Sequence, residues 1–252
     1  MKPLLKNEIK KTFKRTDARV LLLLRLWPML LSILVVMKPD VFKMDGSALG
    51  AFEFANYMVI IQNDIFLPLL VTVLIARMSL YQEITKKTIY CYKDIPRKNI
   101  LNAKYLSIYG VYFVFLVLYL LMSYVAYYIA FIHQDMATGT FIAYPDEMAD
   151  IIYTVIQIVL GATLYIHVGI LLAVRFSTGM SMFGVTLFYM FAKIVPNFRI
   201  LKFIFPIGYK NVIELTSHPY LFSMVLSLLV YAIYHFGLYT YNKKTFQKIQ
   251  FH

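Results

Sequence analysis

Apolar residues fill six long blocks of the chain, over about 20 to 37, 57 to 79, 105 to 131, 151 to 174, 180 to 196 and 220 to 241. Each block is close to the roughly 20 residues an α-helix needs to cross a hydrocarbon layer about 30 Å thick. The pattern predicts an all-α, polytopic membrane protein with six transmembrane helices in one domain covering 1–252. No internal repeat, low-complexity tract or soluble domain interrupts it. Ahead of the first block, Leu5, Ile9 and Phe13 recur every fourth residue, lysines fall on the other side, and Pro3 is placed to open a helix. Residues 1–19 are therefore expected to form an amphipathic leader lying in the plane of the inner membrane surface. A secretory signal is excluded by the length of the run from Val20 to Met37 and by Met37-Lys38-Pro39-Asp40, which has no small-residue cleavage site.

The polar positions between the blocks set the orientation. Residues 1–19 carry seven basic and two acidic side chains, and residues 77 to 104 again carry seven and two. Cytoplasmic loops retain Lys and Arg, so both segments belong inside. Residues 132 to 150 hold Asp135, Asp146, Glu147 and Asp150 with no Lys or Arg, which places them outside, as are the mixed residues 38 to 56. Lys243, Lys244 and Lys248 keep the tail inside, so both termini are expected in the cytoplasm. Residues 197–219 hold Arg199, Lys202 and Lys210 yet fall outside on this count. Either the fifth block is not a full crossing or this segment dips into the headgroups, and the apolar stretch Phe203-Ile204-Phe205-Pro206 favours the dipping segment.

Composition narrows the class further. Sixty per cent of residues are apolar and 15% charged, against roughly 25% charged in soluble domains, so lipid must cover much of the surface. The net charge of +12 sits beside the spans, which points to anionic lipid headgroups and not to nucleic acid. Cys91 is the single cysteine, which excludes an internal disulfide and a cysteine-based metal site. No His-Glu-x-x-His or Gly-x-Ser-x-Gly motif is present, and the five histidines are scattered. Gly179 to Gly184 has the spacing of a phosphate loop but is followed by Val185 and Thr186, not by Lys and Ser or Thr. The chain is expected to be no enzyme and to hold neither cofactor nor metal.

The loop over 80–104 stands out. Ile84, Thr88 and Ile89 recur at helical spacing, Pro96 stops the helix, and the other face is basic and aromatic. Such a helix suits a groove on a cytoplasmic partner, or anionic lipid. Glu83, the pair Lys87-Thr88, the run Asp94-Ile95-Pro96-Arg97, and Ala103-Lys104 opening the next span resemble the cytoplasmic loop of type-2 ABC exporter permeases. The chain departs from that pattern at Lys87, where glycine is usual, and at Pro96-Arg97, which lacks an intervening residue. The layout of leader, six spans and membrane-dipping outer segment is similar throughout, as in small permeases of Gram-positive bacteria that export or give immunity to peptides.

The resemblance implies a permease in a bacterial cell membrane, dimerising with a second copy or a related chain. Two copies of a separate ABC ATPase would hold the ATP and Mg²⁺ and engage Glu83, Lys86, Lys87, Tyr90, Lys93, Asp94 and Arg97. The implied cargo is an amphipathic peptide or a lipid-like molecule. An ion-coupled secondary transporter and a non-transporting scaffold or sensor are the alternatives.

Few ionisable groups lie at membrane depth. Asp64 with Asn63 is a pathway candidate, or marks the outer mouth of a span that begins nearer Ile65. Lys193 and Arg25 have the length to snorkel, and His167 and His235 are expected to be satisfied by neighbouring helices. Met182, Phe183, Phe188 and Met190 offer an adaptable apolar wall for cargo, although lipid-facing residues look the same.

Overall fold

The computed structural model describes residues 2–37, 48–85, 94–198, 201–206, 209 and 219–247. Nine α-helices cover most of these, with no β-strand among them: α1 (Lys2–Lys14), α2 (Thr16–Leu23), α3 (Trp27–Met37), α4 (Ala51–Ile65), α5 (Leu67–Thr85), α6 (Arg97–Ile129), α7 (Met148–Arg175), α8 (Thr178–Ile194) and α9 (Pro219–Gln247). Six stretches are long and apolar enough to cross a membrane: Thr16–Met37, Leu67–Thr85, Arg97–His133, Pro145–Arg175, Thr178–Asn197 and Tyr220–Gln247. These are the makings of a multi-pass membrane protein.

Local chemistry explains the irregular points. Pro28 has no N–H for the Leu24 carbonyl, and the N–H of Trp27 takes that carbonyl instead, tightening Leu24–Leu26 into a 3-10 turn between α2 and α3. The block expected over 57 to 79 is two helices, broken at Phe66, which adopts the left-handed region at φ 61°. A phenylalanine there costs about 1–2 kcal/mol. Two contacts hold it: its ring stacks on Tyr189 at 4.1 Å between centroids, and the Asn63 carbonyl accepts both the Phe66 N–H at 3.2 Å and the Tyr189 hydroxyl at 2.8 Å. Pro68 then sits in the first turn of α5, where its missing N–H is harmless.

The helix α6 is the spine. Tyr119 donates to the Met58 carbonyl and Tyr127 to the Leu49 carbonyl, both at 3.0 Å, so α4 lies along the second half of α6. Lys104 reaches α1 and α5 from its first half. One end of the bundle therefore gathers α1, the end of α5 and the start of α6, and Arg97 brings the end of α9 there by donating to the Gln247 carbonyl. Arg175 bonds Thr245 at 2.9 Å, which adds the end of α7. The opposite end is an acidic loop laid on the start of α4, where Leu49, Ala51 and Phe52 donate N–H groups to the carbonyls of Met136, Thr140 and Phe141.

The leader docks differently from its sequence pattern. Leu5, Ile9 and Phe13 are half-buried, while Glu8 and Thr12 are almost fully buried against α6. The polar seam meets the bundle alongside Phe13, because α6 offers Lys104 and Ser107 to pair with it.

Helices α5 and α7 approach closely at Gly169, where an added Cβ would lie 2.7 Å from a methyl of the fully buried Val73. Gly169→Ala should therefore cost about 1–3 kcal/mol, as overpacking does, and lower the melting temperature in detergent. An unchanged melting temperature would show that the two helices separate freely.

Candidate functional site

At the basic end, Lys104 is wholly buried. Its ammonium meets Glu83 at 2.7 Å, the Ser79 carbonyl at 2.9 Å and Glu8 at 3.2 Å. Lys11 closes the network on the other oxygen of Glu83. Pairing with these carboxylates is what allows the Lys104 charge to be wholly buried. Thr12 extends the seam by bonding Ser107 at 3.2 Å.

This placement changes how Glu83 is read. The resemblance gives it an ATPase-coupling role; in the fold it is 6% exposed and ties α5 to α6 and α1. Arg97 meets the negative end of the α9 dipole through Gln247, and Asp94 is exposed. Lys86, Lys87, Tyr90 and Lys93 lie outside the described residues, as does Cys91.

A second polar group lies between α4, α7 and α8. Asp64 is ion-paired with Lys193, both partly exposed. Together with Asn63, Tyr153, Gln157 and Thr154 they line a cavity of about 210 Å³. Gln157 is 2% exposed, and among the described residues no group pairs with either its Nε2 or its Oε1. Ile60 and Thr154 are shared with a second chamber of about 280 Å³ toward the acidic end. The result is a two-chamber cleft between α4 and α7, to which both helices contribute polar side chains and isoleucines.

Of the other sequence candidates, Phe183 is 60% exposed on the outer face of α8. Phe188 packs edge-on against Tyr165 and Phe205, and the Met182 carbonyl accepts the Thr186 hydroxyl. None of the three lines either chamber. Gln157 was not anticipated, although a lone amide flanked by Ile156 and Ile158 was its signal.

A third group joins α6, α7 and α9. The Nδ1 atoms of His167 and His235 lie 2.9 Å apart, Tyr109 bonds the Nδ1 of His167, and the Nε2 of His235 is 3.0 Å from the Thr163 hydroxyl. That hydroxyl donates to the Leu160 carbonyl at 2.7 Å, so His235 must donate through Nε2 and offers a lone pair at Nδ1. His167 then carries its proton on Nδ1, and its Nε2, which has no protein partner, is left as a lone pair. These side chains line a cavity of about 580 Å³ with Leu106, Phe113 and other apolar residues.

No known protein family, curated protein or solved structure matches the chain. What the fold defines is an all-helical, multi-pass membrane protein with six helices able to cross.

Proposed function

We propose that the chain is the transport subunit of an ATP-driven exporter, with the α4–α7 cleft as part of its passage. The observation that carries a transport role is Gln157. A buried amide with no protein partner costs about 1–3 kcal/mol, and a passage that transiently pairs with cargo is a physical reason to keep one. The adjoining Asp64–Lys193 pair fits the same reading, because ionisable groups at membrane depth mark pathways.

The ATPase partner rests on the resemblance of the 80–104 loop to type-2 ABC exporter permeases. In this reading the basic end faces the cytoplasm of a bacterial cell, with both termini there, and the leader lies along that surface. A second copy completes the passage, since two chambers of about 210 and 280 Å³ are too narrow for an amphipathic peptide. Glu83 takes a modified role: it transmits motion of the loop to α1 and α6 through Lys104, without itself touching the ATPase.

A second reading, an ion-coupled carrier, is favoured by the His167–His235 pair, since directly contacting titratable side chains at membrane depth suit proton coupling. Isolation from the native membrane in mild detergent separates the two. An ATPase bearing a phosphate loop, retained at near-equal stoichiometry and active in the complex, is expected. A chain that isolates alone and moves cargo in vesicles under a pH gradient without ATP would establish the carrier instead. A chain that moves nothing under either drive would be a scaffold or sensor. The orientation has its own check: an impermeant maleimide should label Cys91 in inside-out vesicles and not in intact cells, and the reverse would invert the topology.

A further inference from the structure

We propose that the chamber at the acidic end of the cleft binds an organic ammonium ion. Glu53, Glu147 and Asp150 line it, and no lysine, arginine or histidine is among its described lining residues. Glu53 is 3% exposed; its Oε1 accepts the N–H groups of Ala143 at 2.9 Å and Tyr144 at 3.1 Å, while its Oε2 has no hydrogen-bonding partner. A buried carboxylate oxygen beside a cavity, with its twin already satisfied and no partner of its own among the described residues, is an acceptor open to a charged donor.

The chemistry of the occupant follows from the lining. A metal ion needs several oxygens converging at about 2.0–2.6 Å. Among the described residues no three acidic, histidine or cysteine side chains gather closely enough to hold one. Carboxylates spread around about 280 Å³ suit a larger cation, and two aromatic residues, Tyr57 and Tyr144, are in the lining, a residue type that attracts substituted ammonium groups. The adjoining chamber already shows the pairing in miniature, since Asp64 there holds the ammonium of Lys193. Gly50 packs against the same site: an added Cβ would lie 2.5 Å from Glu53 Oε2 and 2.8 Å from the backbone nitrogen of Ala143, so only glycine leaves both in place.

As the cargo class of the passage, the ammonium ion rests on the transport reading; its binding does not, and the two fail separately. The test uses the full chain in lipid nanodiscs, dansylcadaverine as a fluorescent primary ammonium, and anisotropy as the readout. Butylammonium and benzyltrimethylammonium should displace the probe, while butanol and benzyl alcohol should not. Glu53→Gln, which keeps an acceptor for Ala143 and Tyr144, should weaken binding at least about tenfold, and so should the double variant Glu147→Gln with Asp150→Asn. The double variant lies at the rim and tests the site even if Glu53→Gln folds poorly. Displacement by the alcohols at equal concentration, or unchanged binding in the double variant, would overturn the proposal. Tight binding without ATP-driven or gradient-driven movement of the probe in vesicles would leave the site standing and remove the passage.

Discussion

Lys104→Met should free the leader from the bundle and destabilise the protein by about 3–5 kcal/mol, the usual cost of stripping one partner from a buried ion pair. The substitution takes from Glu8 and Glu83, both almost fully buried, the ammonium they share, while Lys11 stays on Glu83. Two measurements check it. The melting temperature in detergent should fall by many degrees, and a protease should cut between α1 and α2 in the variant well before it does so in the native protein. Adding Glu8→Gln and Glu83→Gln to Lys104→Met removes the two buried charges that Lys104 had neutralised and should recover much of the loss. If the single variant melts like the native protein, the network is ornamental and the leader is held by Ala18, Leu21 and their neighbours.

The opposite sign is expected at Gln157. Replacing it with leucine removes an amide whose donors and acceptor have no protein partner, and should stabilise the chain by about 1–2 kcal/mol. The same variant should lose transport, because a residue kept at a cost to folding is kept for another purpose. Thermal unfolding and transport in vesicles, read side by side, decide the matter. A variant that is more stable and still transports would make Gln157 a packing residue. A variant that is less stable would mean the amide is satisfied in the folded protein, and the argument for the passage would fall with it.

The contrast between these sites shows what the amino-acid order carries. Six crossings were legible because apolar blocks of about twenty residues have few other uses. The break at Phe66 was not, because averaging over a window hides a single left-handed residue, although Asn63-Asp64 followed by Pro68 is a helix-stop signal. Glu83 was legible as a singular acid at the end of a span. Its burial was not, since that depends on Lys104, 21 residues away, returning along α6 to the same level. His167 and His235 were expected to be satisfied by neighbouring helices, and each turns out to be the other's neighbour across 68 residues. Asn63 and Asp64 are in the cleft, while Phe183 is on the outside, because an apolar side chain on a membrane helix has the same composition whether it meets lipid or cargo.

The seam between α1 and α6 also bears on how the protein is made. Glu8 and Lys104 are 96 residues apart, so at synthesis rates of about 5–20 residues per second the first helix leaves the ribosome roughly 5–20 s before its partner exists. For most of that interval, until Glu83 is made, its charged face has water and lipid headgroups to meet. A nascent chain stalled before Lys104 should therefore hold its leader loosely at the membrane surface, and the bundle's first helix in sequence is fastened only once the start of α6 has been made.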